Sequence, residues 1–377
     1  AMMKAPDAGQ NGMDKMNRTR VVHALASVLL ACCMLMQHAT AEETKPKVFK
    51  GPVRVFVMAG QSNIGGYAGN PLLEYQANAP ETKAFFAHLR EGDKWVVRDD
   101  VFVKFGDRMG PLTIGYGAPG YTGIEYEFGC VMGQHLEEPV LIIKVWGGAL
   151  YKEFRPPSAP LSKEQLEAHA SDQAKRSRTE NKQEQAKYSL PADAVIKEYG
   201  ASYRDILTEV ANVFEHRDAL FPQLNGMPMQ IAGFVWFQGF SDQHPDRAAE
   251  YERNLACLIR DLRKDLKAPA MPFVIPMIGF NGSKEPTGGC LTVQNAQWAM
   301  NAVPEFEGNV KAFRTDVFVD KAAEALFPKW RENLEEWRKI GSHWACHYYG
   351  SAIWHTKIGR AAGESMIELL RAASPTK

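Results

Sequence analysis

A serine that follows directly on an apolar run is the first residue in this sequence placed like a nucleophile. The run Val53–Ala59 leads through Gly60 and Gln61 into Ser62. A serine at the carboxyl end of a parallel strand lies where open α/β sheets bind ligands, and nearby backbone N–H groups can stabilise an oxyanion. Taken alone, Ser62 is more simply explained as a turn or N-cap residue. Because Ile64 stands where G-x-S-x-G has its second glycine, the ordinary α/β-hydrolase motif is disfavoured.

Three further segments change that balance, because each lies at the end of an apolar run or just before a helical pattern. Gly147 and Gly148 follow the second clear run, and paired glycines allow close backbone approach to a substrate. Gln238 follows the third run, where its amide could donate to an oxyanion. His347 precedes the last helical pattern and could be the general base for Ser62. Each alone also fits a turn or a satisfied polar residue, but their shared placement predicts one active site.

Short apolar runs alternate with helical patterns, which predicts an α/β fold. The runs are nearly continuous, as is typical of parallel strands covered on both faces. The predicted strands are Val53–Ala59, Val140–Val145, Ile231–Phe237, Phe273–Ile278 and Val310–Phe313. The predicted helices are Ala201–His216, Arg247–Leu266 and Ser351–Ala372. Together they predict a three-layer α/β/α sandwich around a parallel sheet.

The order of the polar segments resembles the SGNH-type (GDSL-like) hydrolases, and within them the sialate O-acetylesterase and acetyl-xylan esterase group. The matching segments are Ala59–Asn63 (AGQSN), Trp146–Gly148, Trp236–Asp242 (W-x-Q-G-x-x-D) and His347. The resemblance runs roughly from Val53 to Leu370. It implies the SGNH hydrolase fold, with a flavodoxin-like parallel sheet.

The resemblance also implies roles for individual residues. Ser62 would be the nucleophile and His347 the base. The oxyanion hole would consist of the backbone N–H groups of Ser62 and Gly148 and the side chain of Gln238. The implied reaction is removal of O-acetyl or other small acyl groups from an acetylated glycan or sugar, with no cofactor and no metal. Short acyl esters of non-sugar alcohols are an alternative substrate class.

Weaker candidates for substrate contacts lie around these segments. Arg155 follows the glycine pair and could line the mouth of the site, Asn63 adjoins the nucleophile, and Trp344 could stack on a sugar ring. The commoner roles of such residues are loop shaping and core packing.

The residue that orients the base is not assigned by the sequence. The group usually carries an Asp three or four residues before its C-terminal His, and here those positions hold Trp344 and His343. Asp320 and Asp242 are the candidate orienting acids. A backbone carbonyl, a Ser–His dyad, and a degenerate site that only binds carbohydrate are the alternatives. The absence matters because replacing the acid of a serine protease triad by an amide lowers the rate about 10⁴-fold.

Two features make a metal centre or a nucleic-acid partner poor explanations. His343 and His347 have the spacing of a metal pair on a helix, but the Tyr348–Gly350 segment indicates a loop, and no H-E-x-x-H pattern occurs. Lys plus Arg and Asp plus Glu both number 44, so the net charge is zero. Such a balance argues against nucleic acid or an acidic membrane surface as the main partner.

The N-terminal residues read as a targeting segment. Arg18 and Arg20 precede the apolar run Val21–Met36, and Ala39–Ala41 forms an A-x-A cleavage site. The run is short for a membrane span. Residues 1–41 are therefore predicted to be upstream residues and a signal peptide, and the protein is expected to be exported to the periplasm or outside. A lipid anchor at Cys32 is the less favoured alternative.

Residues 42–377 are predicted to form a single esterase domain, with a polar surface insertion near 160–193 that has few large apolar residues. Its four cysteines permit disulfides but equally fit free thiols. They are Cys130, Cys257, Cys290 and Cys346.

Overall fold

A computed structural model describes residues 49–168 and 196–373. The predicted signal peptide, Cys32 and most of the 160–193 insertion lie outside the described residues. The strands are β1 Val53–Gly60, β2 Ala68–Gly69, β3 Arg90–Glu91, β4 Lys94–Trp95, β5 Arg98–Phe105, β6 Arg108–Leu112, β7 Tyr121–Thr122, β8 Val140–Trp146, β9 Met229–Phe237, β10 Phe273–Pro276 and β11 Val310–Phe313.

The helices of the described residues include both α-helices and short 3-10 turns. The α-helices are α1 Ser62–Gly65, α2 Asn70–Asn78, α3 Lys83–Phe86, α4 Glu125–His135, α5 Ala201–Leu220, α6 Pro245–Asp265, α7 Gly288–Ala299, α8 Lys321–Leu326, α9 Leu334–Ile340 and α10 Ala352–Ala373. The 3-10 helices are Ala87–Leu89, Pro222–Leu224, Phe240–Asp242, Met300–Ala302, Pro304–Phe306, Asp316–Phe318, Phe327–Lys329 and Ala345–Gly350. None of the helices in the described ranges is long and apolar enough to cross a bilayer.

The central sheet of the described chain has seven strands in the order β11-β10-β9-β1-β8-β5-β6. All neighbours pair in parallel except β5 and β6, which form an antiparallel hairpin at one edge. The five remaining strands can be numbered 1 to 5 along the chain. Their order across the sheet is then 2-1-3-4-5, which is the flavodoxin-like topology. The predicted α/β/α sandwich with a parallel sheet is confirmed.

Strand β1 shows how the sequence builds the three layers. Successive side chains of a strand point to opposite faces, so Val55 and Val57 pack on one side while Phe56 and Met58 pack on the other. The first side is covered by α5, α6 and α7, and the second by α4 and α10. Because both faces are covered, the run is apolar throughout.

Every predicted strand and helix has its counterpart, with ends shifted by a few residues. The hairpin β5–β6 and the helices α4 and α7 were not predicted. The four cysteines of the described residues are free thiols, so the disulfide alternative is not realised there.

Candidate active site

The nucleophile candidate stands where β1 leaves the sheet between two neighbouring strands. Gly60 has a φ of 157°, and a Cβ on it would lie 2.1 Å from the carbonyl oxygen of Phe237. Only glycine therefore fits the end of β1. Gly147 N–H donates to Gly60 O at 2.8 Å, and Gln61 N–H donates to Phe237 O at 3.3 Å. These bonds hold the turn that presents Ser62 at the start of α1.

The strand register brings the predicted segments to one edge of the sheet. Gly60 pairs with Trp146 of β8 and with Phe237 of β9. Ser62 and Gly148 each lie two residues beyond their paired strand end, and Gln238 lies one residue beyond. This edge contains the carboxyl ends of parallel strands at the point where the strand order reverses, which is where such sheets bind ligands.

The ring of His347 faces the serine. Its Nε2 lies 2.8 Å from Ser62 Oγ, although 285 positions separate the two residues in the chain. Asn63, next to the serine, donates through Nδ2 to the carbonyl of Cys346 at 3.2 Å. That bond ties the helix of the serine to the loop of the histidine.

The loop after His347 has an unusual backbone. Tyr348 and Tyr349 adopt left-handed φ values of 55° and 60°. Such conformations cost on the order of 1–3 kcal/mol each and persist only when the surroundings hold them. Tyr348 is completely buried, and its hydroxyl accepts a bond from Gly279 N–H at 3.0 Å. Packing of this loop therefore fixes where the imidazole of His347 points.

A second histidine occupies the far side of the His347 ring. Nδ1 of His343 lies 2.6 Å from Nδ1 of His347. Tyr67 stacks on His347 at 4.1 Å with an angle of 4° between the rings, and Tyr121 meets His343 edge-on at 5.8 Å. The two imidazoles thus lie within an aromatic enclosure.

Burial is the main cause of the shifted titration of both rings. It lowers the pKa of His347 to about 4, with further lowering from His343 and His355. It also lowers the pKa of His343. Both rings are therefore neutral at neutral pH, as a general base needs to be.

Two backbone N–H groups are available beside the serine. Ser62 is the first residue of α1, so its N–H has no acceptor within the helix. Gly148 lies in the loop after β8, and a Cβ there would meet Glu153 Oε2 at 2.3 Å. Within residues 49–168 and 196–373, neither N–H donates to another group. They can serve a developing oxyanion.

The side chain of Gln238 lies in a buried hydrogen-bond network. Its Nε2 carries two protons and already faces three acceptors, at 2.6 Å from Asp242 Oδ2, 3.1 Å from Gln61 Oε1 and 3.3 Å from Gly148 O. Its Oε1 accepts from the Tyr251 hydroxyl at 2.9 Å. In this structure both amide protons therefore have acceptors within a buried network, and the role of Gln238 as an oxyanion donor stays a prediction.

Neither candidate orienting acid contacts the base. Asp242 accepts from Leu150 N–H and Tyr151 N–H at 2.9 and 2.8 Å, and burial raises its pKa to about 6. Asp320 caps α8 and accepts from the Ser351 hydroxyl at 2.6 Å. Both carboxylates hold loops of the fold, and neither accepts a hydrogen bond from His347 within the described residues.

The three weaker candidates for substrate contacts differ in exposure, because two are buried and one lies at the surface. Arg155 is buried and donates to Ala159 O, Tyr151 O and Glu250, which makes it a loop anchor rather than a substrate contact. Asn63 is buried and makes the loop contact described above. Trp344 is about half exposed and meets Trp330 edge-on at 5.7 Å. Of these three residues, Trp344 is the one with a side-chain face that a ligand can reach.

A buried ion pair beneath α1 was not predicted as part of the site. Lys144 Nζ lies 2.8 Å from Glu125 Oε2, and neither side chain is exposed. The same ammonium donates to Tyr116 O at 2.7 Å and reaches Gly65 O, at the end of α1, at 3.5 Å. The sequence signal was a lysine within the apolar run of β8. As for metals, no group of three or more His, Cys, Asp or Glu side chains in the described chain is arranged to hold an ion.

One protein-family model matches part of the chain. Residues 194–315 match the family described as "Carbohydrate esterase, sialic acid-specific acetylesterase". The match covers about a third of the sequence and includes β9 and the Trp236–Asp242 segment, whereas Ser62 and His347 lie outside it. The resemblance to sialate O-acetylesterases is confirmed for this segment. No curated protein matches the sequence significantly.

Solved structures with a similar chain course include three proteins. A protein from Arabidopsis thaliana has 13% identity and a TM-score of 0.45, over 84% of this chain and 98% of that one. A carbohydrate acetylesterase from Xanthomonas citri has 14% identity and a TM-score of 0.41, over 83% of this chain and 55% of that one. NanS has 14% identity and a TM-score of 0.40, over 72% of this chain and 80% of that one. Similarity at this level carries no argument about activity.

Proposed function

We propose that this protein is a serine esterase that transfers a small acyl group, most simply acetyl, from a carbohydrate hydroxyl to water. The observation that carries the proposal is the 2.8 Å contact between Ser62 Oγ and His347 Nε2 at the carboxyl edge of the parallel sheet. A neutral imidazole at that distance can take the hydroxyl proton as the oxygen attacks. The family match of residues 194–315 supports esterase chemistry and a sugar ester as substrate.

The proposed reaction has two acyl transfers. Ser62 Oγ bonds to the ester carbonyl carbon while its proton passes to His347 Nε2. The tetrahedral oxyanion accepts from the N–H groups of Ser62 and Gly148, and it collapses as the sugar oxygen leaves with the proton of His347. Water then attacks the acyl-serine, giving its proton to His347, and the carboxylic acid leaves as the Ser62 hydroxyl is restored. Losing one oxyanion donor typically lowers turnover about 10²–10³-fold.

Hydrolysis of a chromogenic acetate ester tests the esterase. We expect wild-type protein to release the chromophore and Ser62→Ala to lose nearly all of that activity, because the acyl-accepting oxygen is gone. Ser158→Ala is the matched control, since Ser158 is an exposed serine in a loop. Equal rates for wild type and Ser62→Ala would overturn the esterase and leave a carbohydrate-binding protein of this fold.

The sugar side of the substrate has a candidate surface beside α1. Trp146 is 48% exposed, and its ring packs so closely on Gly65 that a Cβ there would lie 2.4 Å away. A cavity of about 310 Å³ adjoins the indole and is also lined by Phe105, Asp107 and Arg108. An aromatic face with charged groups at its rim fits a sugar ring and its hydroxyls.

A variant without the Trp146 indole tests whether this surface binds the sugar part of the substrate. For Trp146→Ala we expect kcat/KM on an acetylated sugar to fall about fivefold, because a stacked aromatic contact contributes roughly 1 kcal/mol beyond burial. Activity on ethyl acetate, which has no ring to stack, should stay at the wild-type level. Trp298→Ala, at another exposed indole, is the control. An equal loss on both substrates would contradict a sugar-binding role.

We further propose that the mature enzyme works outside the cytoplasm, on the basis of the signal-like segment that ends at Ala41. Cell fractionation with intact-mass measurement tests this, and a soluble exported chain beginning at residue 42 is expected. A membrane-bound, lipid-modified chain beginning at Cys32 would support the anchor instead. Cytoplasmic protein with its N-terminus intact would contradict export.

A further inference from the structure

We propose that His343 is the positioning residue of a Ser–His–His triad, in the place where serine esterases commonly carry an acid. This inference rests on the proposed esterase activity. It starts from the two contacts of His347, whose Nε2 lies 2.8 Å from Ser62 Oγ and whose Nδ1 lies 2.6 Å from His343 Nδ1. A base needs an orienting partner on the nitrogen that faces away from the nucleophile. His343 is that partner.

The short distance between the two Nδ1 atoms decides how protons are shared. Each neutral imidazole carries one N–H proton, and a hydrogen bond between the two Nδ1 atoms holds one of these two protons. If His347 carries it, its Nε2 has a lone pair and can accept the proton of Ser62. If His343 carries it, His347 is protonated at Nε2 and cannot act as a base. Turnover therefore requires His347 Nδ1–H to donate to His343 Nδ1, with the proton of His343 on its Nε2.

Neighbouring residues hold the two histidine rings in their relative orientation. Tyr67 covers both rings, with centroid distances of 4.1 Å to His347 and 4.4 Å to His343. Backbone N–H of His343 donates to Tyr349 O at 3.0 Å, which links the second histidine to the left-handed turn. Rotation of the His347 imidazole would break its stack on Tyr67, and rotation of the tilted His343 ring would lose its contact with the same side chain. Both rings are thus held by packing.

A neutral acceptor has a different electrostatic effect from a carboxylate. A carboxylate stabilises the imidazolium that forms during attack, whereas His343 supplies a lone pair without negative charge. Within the described residues, the His347 ring contacts Ser62, Tyr67 and His343 and interacts electrostatically with His355, and none of these is a carboxylate. The lowered pKa of His347 agrees with this uncharged setting. The pair titrates as a unit, so the acid limb of the pH profile belongs to both rings.

Substitutions at His343 test the triad, because Oδ1 of Asp or Asn is one bond from Cγ, as Nδ1 of His is. We expect His343→Asn to retain most of kcat, since it keeps an acceptor. His343→Phe keeps an aromatic ring but no acceptor, and kcat should fall about 10²-fold or more with little change in KM, as the wrong tautomer becomes accessible. His343→Asp should raise the pKa of His347, so the acid limb of kcat/KM should move to higher pH. His216→Phe is the matched control at an exposed helix position.

Two results would overturn the triad while leaving the esterase intact. They are wild-type kcat in His343→Phe, and an unmoved acid limb in a folded, active His343→Asp. Nitrogen-15 NMR of the histidine-labelled wild-type protein gives a readout without any core substitution. We expect Nδ1 of His347 to be protonated and Nε2 to be bare, and the reverse pattern would contradict the proposal. Failure of the esterase itself would appear separately, as equal rates for wild type and Ser62→Ala.

Discussion

At the scale of single residues, a buried polar network surrounds the proposed nucleophile. Gln238 is 2% exposed and joins Asp242, Gln61 and Tyr251 through its side-chain amide. Asp242 in turn fixes the loop after β8 by accepting from two backbone N–H groups. The loops that carry Ser62, Gly148 and Gln238 are thus joined below the site. We therefore expect Gln238 to act mainly as a link between these loops.

Truncation of Gln238 tests this assignment. For Gln238→Ala we expect the free energy of unfolding to fall by about 1–3 kcal/mol, because buried partners lose their hydrogen bonds. Turnover should fall with it, since Gly148 loses its support. Urea unfolding and ester kinetics measure the two effects, with exposed Gln230→Ala as control. A large loss of kcat at unchanged stability would favour the oxyanion role after all.

At the scale of elements, α1 is too short to hold itself in place. It spans only Ser62–Gly65, and an isolated helix of one turn is unstable in water. Its support comes from below, where Lys144 of β8 reaches Gly65 O and pairs with Glu125 at the start of α4. Burial lowers the pKa of Lys144, and Glu125 opposes that shift. The ion pair therefore joins a central strand and two helices under the nucleophile.

Removing one partner of this pair should be costly. For Lys144→Met we expect the free energy of unfolding to fall by about 3–5 kcal/mol, because the Glu125 carboxylate is left buried without its counter-ion. The double variant Lys144→Met/Glu125→Gln should recover part of that loss in urea unfolding. Lys339→Met, which breaks an exposed pair with Glu336, is the control and should leave stability unchanged. A single variant as stable as wild type would contradict the anchoring role.

At the scale of the whole molecule, acid stability depends on histidines held neutral inside the fold. His355 is 1% exposed, and its Nδ1–H donates to Ser351 O at 2.9 Å. Its Nε2 is buried and meets no partner in the described chain. Burial lowers its pKa to about 4. A proton added at Nε2 would therefore have no acceptor, and protonation favours the unfolded chain.

The sign of the pH dependence follows from these shifts. Unfolded histidine binds a proton below about pH 6.5, whereas folded His355 and His347 do so only near pH 4. Stability should therefore fall as pH drops from about 6.5 towards 4, by up to about 3 kcal/mol for fully buried His355. Asp242, whose pKa is raised to about 6, acts in the opposite direction and offsets part of the loss.

Denaturant unfolding at pH 7 and pH 5 tests the contribution of His355. We expect the loss of stability between these two pH values to be smaller in His355→Phe than in wild type, because the titrating ring is gone. His216→Phe, at an exposed position, should keep the wild-type loss. Equal losses in His355→Phe and wild type would show that another group controls the acid response.

The residue pattern was enough to predict the layers of the fold and the edge of the sheet where chemistry is expected. Apolar runs such as Val53–Ala59 identify strands covered on both faces, because burial on each side removes alternation. Their order along the chain then places Ser62, Gly148 and Gln238 at neighbouring carboxyl ends. Strand β5 was not predicted, because it begins with the charged residues Arg98, Asp99 and Asp100 and only its second half is mainly apolar.

Which side chains share the site depends on how the folded chain packs. Whether His343 or an acid faces His347 depends on a left-handed turn that two tyrosines hold by packing, and no local pattern encodes it. Likewise, one acceptor of the Gln238 side-chain amide is Gln61, which is 177 positions away in the chain. Hydrogen bonding acts over about 3 Å in space regardless of sequence separation. Residue types and their order can therefore predict that a site exists, whereas its proton donors and acceptors are assigned only when distant segments are packed together.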